Sequence, residues 1–133
     1  MFCREQAVQL HRDRQRFLDR GATVAFVGNG GALFARTFVE DYHLDEPVLV
    51  DPSRATYRAL GMGRVTLGSL LSPSTLLASV RAMAAGFFQG KTQGHALQLG
   101  GVLAVRPGGE VAFRYLSRFA GDHPPHDQIL AKL

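Results

Sequence analysis

The chain has 133 residues, 46% hydrophobic and 20% charged, with a formal charge of +4 from 15 Lys+Arg against 11 Asp+Glu. That balance predicts one globular domain, residues 1–133, with a core of its own, and it excludes a disordered segment or a strongly basic nucleic-acid-binding chain. One cysteine excludes an internal disulfide or a CxxC zinc site. The most apolar stretch, residues 67–88, is interrupted by Pro73 and Arg81, so no membrane span is expected. With no secretory signal at its start, the chain reads as cytoplasmic.

The first predicted helix runs from about Arg4 to Arg20, with Ala7, Leu10, Phe17 and Leu18 inward, Arg14 interrupting the stripe and Gly21 ending it. Cys3 stands at its opening turn. A helix amino terminus favours negative charge, so a thiol there is expected below the ~8.5 of an unperturbed cysteine, with Arg4 as a positive neighbour. Arg12, Arg16 and Arg20 share one helical face. With Asp13 and Asp19 between them they read as a solvated stripe, the other reading being a phosphate-binding surface.

Thr23–Val27 predicts a strand covered on both faces, and Gly28-Asn29-Gly30-Gly31 the turn out of it. A helix over Ala32–Tyr42 follows, burying Leu33, Phe34, Phe38 and Val39. The turn is placed like a dinucleotide-binding loop, but Leu33 stands where the third glycine belongs, which leaves a plain β–α turn. Pro47–Val50 predicts a second strand. Asp51 and Pro52 cap and open a third helix through Leu60, and Ser72-Pro73 repeats that signal for a fourth. In that fourth helix Leu76, Leu77, Val80, Met83, Ala84, Phe87 and Phe88 form an apolar stripe expected to face the core.

Residues 89–98 predict a polar loop. Val102–Val105 and Val111–Tyr115 flank Arg106-Pro107-Gly108-Gly109-Glu110, a hairpin signature. A closing helix carries Ile129, Leu130 and Leu133. His123-Pro124-Pro125-His126 has no ligand cluster beside it and reads as a surface loop, so no metal is expected. No nucleophile elbow or Ser/His/Asp set is evident, and no cofactor is expected. Tyr42 and Tyr57 read as packing residues.

The order α-β-α-β-α-α-β-β-α is similar to a thioredoxin-like α/β fold with the additional strand and helix of peroxiredoxins. Phe2-Cys3-Arg4-Glu5-Gln6-Ala7, Val48-Leu49-Val50-Asp51-Pro52-Ser53-Arg54, Tyr57-Arg58-Ala59-Leu60-Gly61-Met62, Gln89-Gly90-Lys91-Thr92-Gln93-Gly94, and Leu99-Gly100-Gly101-Val102 through Pro107-Gly108-Gly109 resemble segments of the peroxiredoxin-like AhpC/TSA superfamily. The resemblance implies a three-layer sandwich, a mixed central sheet flanked by helices. It also implies that the sheet's first central strand, which precedes the cysteine-bearing helix, is missing from this chain. Cys3 matches the second cysteine of the family's CxxC pair, whose first member would fall one residue before Met1.

The resemblance further implies that Arg54 faces the reactive sulfur. Read by itself, Arg54 is a first-turn helix arginine open to water; beside a thiolate, a guanidinium favours the charged sulfur and hydrogen-bonds a peroxide oxygen. Leu99-Gly100-Gly101 stands where thioredoxins carry a cis-proline, and paired glycines let a backbone approach closely or merely open a strand.

The expected activity is that of a thiol-dependent antioxidant oxidoreductase. Cys3 reduces a peroxide or a disulfide, and an external thiol, thioredoxin-like or small, resolves it. No nucleic-acid or membrane partner is expected. The alternative is a non-catalytic thioredoxin-fold binding module that uses Gly100-Gly101 and the loop of residues 89–98.

Overall fold

The computed structural model describes residues 2–66, 68, 71–87 and 97–133. Its elements are α1 (Phe2–Arg12), α2 (Arg14–Leu18), β1 (Phe26–Gly28), α3 (Ala32–Tyr42), β2 (Val48–Val50), α4 (Ala55–Ala59), α5 (Pro73–Ala84), β3 (Gly101–Val105), β4 (Val111–Leu116) and α6 (His126–Leu130). Phe88 and most of the expected polar loop lie outside the described residues.

The first predicted helix is two helices, parted at Asp13. Asp13 turns its carboxylate to Nδ1 of His126 at 2.6 Å and to Nη1 of Arg16 at 3.2 Å, so the break coincides with the point where α6 docks. Phe17 is buried as expected, whereas Leu18 on the short second piece is exposed.

β1 and β2 pair in parallel, Phe26 opposite Val48 and Gly28 opposite Val50. β3 and β4 pair antiparallel, with an irregularity at Ala104/Val105. The hairpin turn uses Gly108 and Gly109 at φ of 100° and 95°, a region open to glycine at little cost. Gly101 is required by a close approach, because a Cβ there would lie 2.5 Å from the carbonyl oxygen of Tyr115 on the paired strand. Gly100 has open space around it. Among the described residues the parallel and antiparallel pieces of this mixed sheet form two separate two-stranded sheets.

A shared core still joins them. Leu10, Phe17, Ile129 and Leu130 are buried together, and Phe26 of β1, Val102 of β3 and Phe113 of β4 pack on them. A second cluster, Val8, Ala82 and Phe87 with Tyr42 against it, lies between α1 and α5. Tyr42 meets Phe38 edge-on and stacks on Phe87, as a packing residue does.

Two helices bury other faces than the sequence pattern predicts. In α5 it is Thr75, Ala78 and Ala82 that turn inward, while Leu76, Leu77, Val80 and Met83 are exposed, Leu77 at 72%. Small side chains let α5 come close to α1, and Arg81, at the border of that face, reaches a buried carboxylate there. Glu5, 1% exposed, accepts from Arg81 Nε at 3.1 Å and from Gln9 Nε2 at 3.2 Å. Arg81 also donates to the carbonyl of Gly121 at 3.1 Å. That pairing ties α5 to α1. In α3 no residue is fully buried and Leu33 is exposed, since the helix packs on the short strand β2 along one side.

Candidate active site

Parallel strands deliver their carboxyl ends, and the turns that follow, to the same side of a sheet. β1 runs into the turn at residues 29–31 and β2 into Asp51-Pro52-Ser53-Arg54. Asp51 organises the second turn. Its N–H donates to the carbonyl of Gly28 at 2.8 Å, and its carboxylate accepts from Ser53 Oγ at 2.7 Å and from the Thr56 N–H at 2.8 Å. The Ser53 hydroxyl, with the Thr56 and Ala55 amides behind it, lowers the Asp51 carboxyl to about 2. Arg58 closes the turn from the other side, Nη1 donating to the carbonyl of Ser53 at 2.6 Å.

Arg54, at the head of α4, has φ 58° and ψ 29°. A residue in that position ordinarily has extended backbone, and the left-handed region costs an L-residue roughly 1–2 kcal/mol. His43 also has positive φ, but it follows the last turn of α3, where the left-handed conformation is common. Arg54 is thus held against its preference, and its buried Nε has no hydrogen-bond partner. A donor of that kind is available to an incoming acceptor.

Tyr57 extends the turn to β1. Its hydroxyl donates to the carbonyl of Val27 at 2.7 Å. Burial first, then the nearby Cys3 sulfur and Asp51, push the phenol up to about 12. Cys3 therefore lies within electrostatic reach of Tyr57, on the segment that carries Arg54. Tyr57 is thus a bridge to β1 and not only the packing residue its sequence context suggests. Its one usable signal was the Tyr-x-x-Leu-Gly run after Arg54, which says nothing about a bond to β1.

Two expectations about the thiol fail. Surrounding protein desolvates Cys3 and pushes its thiol above the ordinary value, outweighing the positive chain terminus and a backbone hydrogen bond. The residue nonetheless touches solvent, which works against that displacement. Arg4 does not serve the sulfur, because its guanidinium sits 5.1 Å above the ring of Phe34 in a cation–π contact.

The arginine stripe of the first helix is a structural clamp. Arg16 pairs with Asp13 and Asp127, and Arg20 donates to the carbonyl of Leu130 at 3.1 Å, so two of its three members bind α6. His126 joins them through Asp13, and no group of three or more metal-ligating side chains occurs among the described residues. The close approach at Gly101 is to its own hairpin partner rather than to an outside chain.

Helices packed on small parallel and antiparallel sheets, with a cysteine at the head of the first helix and two β–α turns delivered to one side of the parallel pair, define a thioredoxin-like α/β protein. The chain belongs to the AhpC/TSA antioxidant enzyme family, which matches residues 9–118. Arg54 and Tyr57 lie inside that match and Cys3 just before it.

The chain is 32% identical over its whole length to a prostamide/prostaglandin F synthase of Sus scrofa, covering 67% of that protein. It is 34% identical over 83% of its length to the synthase of that name from Homo sapiens, covering 58% of it. A chloroplastic thioredoxin-like protein of Arabidopsis thaliana is 25% identical over 98% of the chain, which covers 56% of that relative. The chain thus spans between somewhat over half and two thirds of these relatives. No solved structure matches it significantly. No helix among the described residues is long and apolar enough to cross a membrane.

Proposed function

We propose that the protein is a thiol-dependent oxidoreductase in which Cys3 reduces a peroxide or a disulfide and Arg54 assists it. The observation that carries this reading is Arg54 itself, strained and with a free buried donor, on a turn whose Tyr57 feels the charge of the Cys3 sulfur. The family match supports it, as does the enzyme name of the mammalian relatives.

With its thiol pushed upward, Cys3 rests protonated and gains its nucleophilic form when a positive group favours the charged sulfur. Arg54 is that group. The sulfur electron pair forms an S–O bond to one peroxide oxygen, the O–O bond breaks, and the leaving oxygen takes a proton to become an alcohol or water. Cys3 is oxidised by two electrons to the sulfenic acid. An external thiol, a thioredoxin-like protein or a small thiol, condenses with it to a mixed disulfide and releases water. A second thiol equivalent then exchanges, leaves as disulfide and restores Cys3. A reducing compartment such as the cytoplasm suits that cycle.

The test is turnover of hydrogen peroxide or a model disulfide with dithiothreitol as reductant. Cys3→Ser is expected to abolish it, and retained activity sinks the thiol mechanism. The upward push on the thiol favours a second reading, a thioredoxin-fold module that binds without catalysis. Alkylation separates the two. A Cys3 that meets iodoacetamide in mildly acidic buffer no faster than a free thiol, with no turnover, speaks for the binding module.

A further inference from the structure

We infer that Tyr57 is a positioning residue, the tether that holds Arg54 in its left-handed conformation at the head of α4; the inference rests on the Cys3–Arg54 reading above. α4 has five residues, too few to keep a helix by itself, so the shape of its first turn depends on outside contacts. The bonds from Asp51 to Ser53 and Thr56, and from Arg58 to Ser53, all close within residues 51–58. They shape the turn but do not locate it. Arg114 Nη2 holds the far end of α4 at the Leu60 carbonyl, but at the end that carries Arg54 location comes from β1, through the Asp51 N–H on the carbonyl of Gly28 at the turn's start and the Tyr57 hydroxyl on the carbonyl of Val27 beyond it. Arg54 lies between these two anchors. A left-handed, non-glycine residue persists where its surroundings over-determine it, and here both surroundings lead to the same strand.

The chemistry of the phenol limits it to positioning. A tyrosine hydroxyl has one proton to donate, and this one is spent on Val27. The phenol also keeps that proton across the range in which a thiol titrates, so the tether does not loosen as Cys3 ionises. It therefore does not protonate the leaving oxygen of a peroxide. Its effect on the reaction passes through Arg54.

A double-mutant cycle on the second-order rate of Cys3 with hydrogen peroxide tests this, using wild type, Tyr57→Phe, Arg54→Ala and the double variant. Phe keeps the ring and removes the bond. Tyr57→Phe is expected to slow the reaction about tenfold, the order expected for a lost hydrogen bond that fixes a reacting group. In the Arg54→Ala background the same change should alter the rate less than about twofold, because coupled residues are not additive. Iodoacetamide alkylation at a pH where the thiol is fully ionised needs no arginine and should not change in Tyr57→Phe.

Tyr57→4-aminophenylalanine, which keeps a donor on the ring, should restore the rate and also serves if the phenylalanine variant folds poorly. A Tyr57→Phe rate equal to wild type, a full additive loss in the double variant, or no rescue by the amino side chain overturns the tether. If Arg54→Ala itself leaves the peroxide rate unchanged, the Arg54 reading falls and the tether with it. If Arg54→Ala is slow and Tyr57→Phe is not, the tether alone falls.

Discussion

Removing Arg81 should destabilise the protein more than removing its partner Glu5, although each change breaks the same ion pair. Glu5 is almost entirely enclosed, whereas the Arg81 side chain is 54% exposed. Arg81→Met strands a carboxylate whose second oxygen, Oε2, is already buried without a partner. Breaking a fully buried pair costs about 3–5 kcal/mol, and the half-exposed guanidinium brings that down to about 2–3 kcal/mol. The lost bond to the Gly121 carbonyl adds about 1 kcal/mol.

Glu5→Met leaves the arginine free to hydrate and puts a side chain of similar length beside the Val8–Ala82 cluster, so about 1 kcal/mol or less is expected. Urea melts of both variants decide the matter, with equal slopes required before midpoints are compared. Equal losses, or a larger loss for Glu5→Met, would refute the assignment of Glu5 as a carboxylate retained by Arg81.

Gly101→Ala should cost about 1–3 kcal/mol by overpacking against the Tyr115 carbonyl, and Gly100→Ala close to nothing, as read by thermal melts of the two variants. The Asp51 carboxyl titrates lower in the folded chain, at about 2 against 3.8. Its contribution is thus complete above pH 3.8 and is lost as pH falls toward 2, and Asp51→Asn should flatten that limb of an acid-unfolding curve. β1 and β3 each keep an edge without a strand partner among the described residues, and open edges template pairing with other chains. The isolated 133-residue chain is therefore expected to associate in a concentration-dependent way, seen by sedimentation. A monomeric, concentration-independent melt near about 60 °C would count against it.

Elements whose signals are local were legible in the sequence. α3 spans residues 32–42 as its pattern predicts, Ser72 caps α5 by accepting from the Thr75 N–H, and the hairpin turns on Gly108 and Gly109. What periodicity alone could not supply was which face a helix buries when a long-range pair competes with its apolar stripe. The Arg81–Glu5 pair ties α5 to α1 on the side of Ala78 and Ala82 and leaves Leu76 and Leu77 outside, and periodicity does not show it because Glu5 lies 76 residues away in sequence.

Motif resemblance singled out Cys3 and Arg54 as candidates, and of that reading the turn at residues 51–54 is what the structure bears out. The strain at Arg54 and the reach of Tyr57 to Val27 were not legible, since both depend on how a five-residue helix meets a strand. The thiol's displacement was misread for a related reason. Proximity to a helix end is visible in a sequence, and the desolvation that opposes it is not.

The way α5 packs reverses the usual relation between hydrophobicity and tolerance to substitution. Its largest apolar residues, Leu76, Leu77, Val80 and Met83, stand in solvent and accept polar replacements at little cost to folding. Ala78 and Ala82 are the constrained positions. Ala82 is wholly enclosed against Val8 and Phe87, so even one added methyl forces α1 and α5 apart. A library randomised along this helix should return alanine at 82 and nearly anything at 77.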